Sequence, residues 1–205
     1  MGPLTRKTSP LAQRGGLMIE VLVTIAILAI GLAGLMQMQA RLQKSEVESY
    51  QRTQALMLAN DMASRISTNR ADASAYKTSD PNDPAGVGVG MTCPTATDTL
   101  QERDRGEWCE LLQGAAEVDS GSSINVGSLI GGRGCVYETT PGEEFIVTVV
   151  WQGLTPISAP PVNCGKGSYD GGTGSDCVND LCRRYVTTLV SLGPLTASPA
   201  GPVSP

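Results

Sequence analysis

The sequence predicts an α+β protein, with one long N-terminal helix, apolar in its first half and amphipathic in its second, packed on a small antiparallel β-sheet head with disulfide-stapled loops. Three observations carry this expectation. Residues 17–38 form an apolar run without proline. Ala55, Leu58, Ala59, Met62, Ala63 and Ile66 recur at three- and four-residue spacing, the signature of one apolar helix face. Beyond residue 80, short alternating β-branched segments stand between Gly- and Pro-rich stretches that also hold the cysteines.

The chain of 205 residues allows one ordinary domain plus extensions. It has one Phe, two Trp and five Tyr against 24 Gly and 13 Pro, which favours a small loop-rich head over a large aromatic enzyme core. There is no histidine. That removes the commonest general base and the commonest neutral metal ligand, so no Ser-His-Asp or Cys-His site can be built. No cofactor motif is visible either, and the expectation is a non-enzymatic protein without cofactor, metal or small-molecule substrate. The net charge is −5, and without residues 1–15, whose Arg6, Lys7 and Arg14 face no acid, it is −8. DNA binding rests on neutralising phosphates, so direct nucleic-acid binding is not expected. A local patch around Arg183 and Arg184 would run against this.

Residues 17–38 (LMIEVLVTIAILAIGLAGLMQM) contain a single charge, Glu20. A membrane-crossing helix needs about 20 apolar residues, and this run supplies them. It exceeds the apolar core of a secretory signal, and no Ala-x-Ala site follows it. The basic residues before it are expected to stay cytoplasmic, which puts the rest of the chain on the other side. A carboxylate inside an apolar span is costly and points to function, or else to a side chain reaching the interface.

The neighbours of Glu20 resolve that choice. The string Arg14-Gly15-Gly16-Leu17-Met18-Ile19-Glu20-Val21-Leu22-Val23 resembles the cleavage motif of type IV pilins and type II secretion pseudopilins. The resemblance implies a short basic leader removed by a membrane prepilin peptidase between Gly15 and Gly16, with methylation of the new amine and Glu20 as the fifth mature residue. It further implies that the new amine of one subunit pairs with Glu20 of another and sets register during assembly. Two features depart from the family pattern. Gly16 stands where a large apolar residue is usual, and Gln37 stands where major pilins carry a kinking Pro. Gly31 and Gly34 either soften the helix, at about 1 kcal/mol each relative to Ala, or admit a close helical neighbour.

Residues 39–70 contain no Pro or Gly, so the helix is expected to run on to about residue 70, a rod of roughly 80 Å from residue 16 at about 1.5 Å per residue. Its apolar stripe is expected to pack on the head's own sheet, with Arg52, Asp61 and Arg65 largely outside the stripe. A loop is expected over 77–97, a helix over 99–116 and strands over 134–140, 144–152 and 184–192, the first two joined by Thr140-Pro141-Gly142-Glu143. On the middle strand Val147, Val149 and Trp151 alternate with Thr148, Val150 and Gln152, so one face can pack on the helix.

Leu58 to Ile66 with Asn69, Arg70 and Tyr76, then Trp108 and Leu112, the strand Phe145–Gln152 and the run Arg183–Val186 resemble the PilV group of type IVa minor pilins. The expected organisation is a cleaved leader over 1–15, a transmembrane and assembly helix over 16–38, the amphipathic half of the stalk over 39–76, a periplasmic head over 77–192 and an unstructured Pro-rich tail over 193–205.

Cys93, Cys109, Cys135, Cys164, Cys177 and Cys182 suit an exported segment. Six cysteines allow fifteen pairings and sequence does not choose among them. The working expectation is Cys93–Cys109, Cys135–Cys164 and Cys177–Cys182. Zinc is not expected, because no C-x-x-C pair exists, and Asp170, Asp176 and Asp180 lack the spacing of a calcium loop.

The resemblance implies a minor pilin that joins other minor pilins in priming pilus assembly, beside the major pilin, and helps present a tip adhesin. Adhesion and twitching motility would follow. The chain would sit first in the inner membrane with its head in the periplasm, then in the pilus. A type II secretion pseudopilin would share the leader and Glu20. A single-pass membrane protein with an uncleaved N-terminus and an adhesive head is the alternative from another class.

Overall fold

The computed structural model describes residues 16–78, 80, 84–114 and 129–193. Gly15 with the rest of the expected leader, the expected tail beyond residue 193 and residues 115–116 of the expected second helix lie outside these. The chain divides into two compact units, one ending at Ser45 and the other beginning at Glu46.

Helix α1 spans Gly16–Thr68. Over residues 18–45, within the first unit, every side chain is exposed, including Ile19, Leu22, Ile25, Leu28 and Leu32. A helix that is apolar on all sides has no face to turn to water. The Thr24 hydroxyl is satisfied within the helix by donating to the Val21 carbonyl at 2.9 Å.

In the second unit α1 becomes one-sided. Gln51, Ala55, Ala59, Met62 and Ile66 are buried, with Leu58 and Ala63 packed beside them. Full burial of Met62 or Ile66 contributes about 1.5–3 kcal/mol. The helix stops at Thr68, slightly short of the expected residue 70. Ser67 and Thr68 donate to the carbonyls of Ala63 and Ser64, a local competition that weakens a helix end. The segment Arg70–Tyr76, placed with the stalk by the sequence, is 3-10 helix interrupted by non-helical backbone at Asp72 (φ −116°, ψ 26°), and it carries Ala73 and Tyr76 into the core.

The strands are β1 (Val87–Gly88), β2 (Arg133–Thr140), β3 (Glu144–Gln152) and β4 (Arg183–Ser191), antiparallel in the order β1-β2-β3-β4. The three long strands stand where alternation places them. The short β1 lies inside the segment expected to be all loop, because two residues carry no readable period. Pro141 and Gly142 turn the chain between β2 and β3, with the Glu143 N–H donating to the Thr140 carbonyl at 3.0 Å and Gly142 at φ 71°.

Helix α2 spans Leu100–Leu112. Thr99 caps it: its hydroxyl accepts from the Glu102 N–H, and Glu102 accepts from the Thr99 N–H. Trp108, fully buried, donates its indole N–H to the Leu58 carbonyl of α1 at 2.9 Å. The far edge of its six-membered ring meets β2 at Gly134, where a β-carbon would stand 2.2 Å from the ring, so only glycine fits.

The main core joins the buried stripe of α1, Trp108 and Leu112 of α2, and Val136, Phe145, Val147, Val149, Trp151, Val186 and Val190 of the sheet. Alternation on β3 suggests a single packed face, but its other face is also covered. Cys135, Tyr137, Val150, Cys164 and Tyr169 form a second, smaller core beneath the segment that follows β3.

Candidate functional site: the apolar helix and the disulfide-fixed head

Gly16 opens α1, and Glu20 follows about one turn later. Glu20 is exposed and has no hydrogen-bond or ion-pair partner among the described residues. Gly31 and Gly34 have no atom within 4 Å of where a β-carbon would stand, and α1 runs through both without interruption. Gly15 lies outside the described residues.

In the second unit all six cysteines are paired as Cys93–Cys109, Cys135–Cys164 and Cys177–Cys182, the pairs set out above. The first ties the loop before α2 to the buried face of that helix. The second ties β2 to the segment 153–182, and the third closes a short ring just before β4. The last two staple the 153–182 connection, which by length alone would be mobile, and a disulfide typically contributes about 2–4 kcal/mol.

Arg183 and Arg184 do not form a free basic patch. Arg183 is buried: its Nη1 donates to the carbonyls of Val162 and Cys164 at 2.7 Å, and it pairs with Asp180. Asp180 in turn accepts from the Gly167 N–H, and the Asp180 N–H donates to Asp170. Asn179 and Asp180 hold left-handed backbone at φ 53° and 61°, which Asn and Asp tolerate better than most residues. An open cavity of about 490 Å³ beside them is lined by Pro160, Pro161, Lys166, Asn179 and Arg183. Asp170 and Asp180 are thus engaged in loop bonds, and no group of three or more His, Cys, Asp or Glu among the described residues could hold a metal.

Arg184 reaches the other way. It donates to the Thr155 carbonyl and lies 3.5 Å from Glu48 of α1. Glu48 also accepts from the Leu154 N–H at 3.1 Å, so one carboxylate holds the post-β3 segment against α1.

A second polar cluster joins α1, α2 and the 3-10 segment. Arg65 donates to Asp61, Asp104 and Glu107 at 2.9, 2.7 and 2.8 Å. Burial opposes the Arg65 charge, while Glu107, Asp104 and Asp61 together raise its pKa above the ordinary arginine value. The Tyr76 hydroxyl donates to Asp104 at 2.6 Å. Burial, then that bond, push the Tyr76 pKa up to about 12. Tyr169, whose hydroxyl donates to the Gly131 carbonyl at 2.7 Å, is likewise raised by burial. Glu138 is held below its ordinary value by the Ser74 hydroxyl and the Gly142 N–H.

The sequence-predicted residues therefore fall into two groups. Gly16 and Glu20 share one end of α1, whereas the cysteines belong to the head. Glu48, Asp104 and the burial of Arg183 escape a reading of the sequence, because each acts across a separation that local pattern does not encode. Tyr76 and Trp108 carry a visible signal, being large aromatics in a chain that has few. Compared with models of protein families, with curated proteins and with solved structures, the chain matches none.

Proposed function

We propose that the chain is a non-enzymatic minor pilin of the PilV kind, made with a leader that prepilin peptidase removes and acting in the assembly of a type IV pilus. The observation that carries this is Glu20, the sole charge of residues 17–38, four positions after the Gly16 that opens a helix long and apolar enough to cross a membrane. Cleavage after Gly15 creates an amine at Gly16 within about one turn of that carboxylate. Among packed apolar helices an unpaired carboxylate is strongly penalised, so the amine of a staggered neighbour is its natural partner.

Before assembly the helix anchors the chain in the inner membrane, and the disulfides suit a head in the periplasm. The head then meets other minor pilins and helps present a tip adhesin, through which adhesion and twitching motility are served. The decisive experiment is intact mass and N-terminal sequencing of the protein from membranes of cells with and without prepilin peptidase. A mature chain starting at Gly16 only when the peptidase is present is the expected result. Retention of residues 1–15 in both strains leaves an uncleaved single-pass anchor as the better account. A deletion strain that keeps its pili but loses secretion marks the chain as a pseudopilin instead.

A further inference from the structure

The two edges of the sheet are finished differently. At one edge β1 is only two residues long, and the Gln113 side chain donates to the carbonyls of Gly88 and Met91 at 3.0 and 2.8 Å. Short edge strands and covered edges are common protections against strand addition. The other edge is β4, nine residues long, with no charged residue after Arg184.

The hydrogen bonds at the two ends of β4 reveal its phase. The Gly153 N–H donates to the Cys182 carbonyl and the Leu192 N–H to the Glu143 carbonyl. Paired residues of an antiparallel ladder alternate between bonded and non-bonded, so Arg184, Val186, Thr188 and Val190 turn their backbone groups toward β3. The backbone groups of Tyr185, Thr187, Leu189 and Ser191 point outward, and no described residue bonds to them. The same residues put their side chains on the face opposite α1, where Leu189 is 64% and Tyr185 39% exposed.

We infer that the outer edge of β4 receives an extended segment of another protein, added as an antiparallel strand with apolar residues beside Tyr185 and Leu189 and a carboxylate at its N-terminal end. Strand addition takes affinity from main-chain bonds and specificity from alternate side chains, and β4 offers both. The charge requirement comes from Arg70. Its guanidinium donates to the carbonyls of Leu192 and Gly193, at the C-terminal end of β4, and pairs with no carboxylate among the described residues. A second copy of this chain fits poorly, since antiparallel pairing of two β4 strands brings no carboxylate to Arg70, β4 holding none. This edge recognition is independent of whether the leader is cleaved.

The test is amide hydrogen exchange, read by NMR on the full chain in detergent micelles, with a synthetic peptide that alternates Val and Thr and begins with Glu. Fast exchange at Tyr185, Thr187, Leu189 and Ser191 without peptide, and protection of these amides with it, are the expected results. Replacing the N-terminal Glu by Lys should weaken binding. Thr187→Pro removes an outward N–H that the internal ladder does not use. It should weaken binding about tenfold, the order expected from losing one or two ladder bonds. Leu189→Lys serves as the second variant should Thr187→Pro fail to fold. Protection already present without peptide, protection that grows with protein concentration alone, no protection at millimolar peptide, or equal binding by both variants would each overturn the inference.

Discussion

The two halves of α1 are one continuous helix with two different physical situations. Residues 18–45 expose every side chain, and most of their first two dozen are apolar. From Gln51 to Ile66 the same helix buries a single stripe against a sheet and leaves charged residues outside it. The first half is long and apolar enough to cross a membrane. The second half belongs to a domain core. Substitutions in the first should change where the protein goes, and substitutions in the second should change whether its head stays folded.

The largest expected effect is on the first side of that comparison. Glu20→Ala should leave the protein cleaved and membrane-bound, with an unchanged melting temperature of the head, yet nearly absent from sheared pili. Normal incorporation would remove the assigned role of Glu20. On the second side, Trp108→Ala should cost about 3–5 kcal/mol in urea unfolding, since it empties the space over Gly134 and leaves the Leu58 carbonyl without its indole donor. Leu28→Ala, a truncation in the exposed half, should leave the same urea midpoint where it was. A comparable loss at Leu28 would break the comparison outright.

Smaller effects sharpen it. Replacing Cys135 and Cys164 by Ser should cost about 2–4 kcal/mol and loosen the second core, measurable as faster exchange around Tyr169. Thr99→Ala, which removes the cap of α2, should cost about 1 kcal/mol by the same urea assay. Tyr76 gives a pH signature. Its pKa is raised in the folded head from 10.0 to about 12, so the folded state holds its proton longer than the unfolded chain does. The associated stability is present below pH 10 and is lost as pH rises through about 12. Tyr76→Phe should make stability less steep across that window, and an unchanged slope would show that Asp104 and burial do not act on Tyr76 as described.

Much of this was legible in the residues. The apolar run, the amphipathic stripe and the alternation of β3 and β4 are local periodicities, and they need no partner to be read. Glycine and proline mark the β2–β3 turn because Pro141 and Gly142 supply the backbone angles it demands. Sequence pattern sets the end of α1 slightly late, since the Ser67 and Thr68 side chains compete for helix carbonyls in a way that propensity hardly registers.

What sequence alone determined is the two α-helices and the three long strands, their order and the one charge within the apolar half of α1. Tertiary structure decided the rest. It made Arg183 a buried staple rather than part of a basic patch, used Glu48 to hold a segment more than 100 residues away, and brought Asp104 and Glu107 to the Asp61–Arg65 pair of α1. It also covered the second face of β3 and, among the described residues, placed no strand beyond β4. The physical reason is the same throughout. Helix and strand periods arise between residues a few positions apart, whereas desolvation, ion pairing and strand pairing depend on which distant residues the fold brings together.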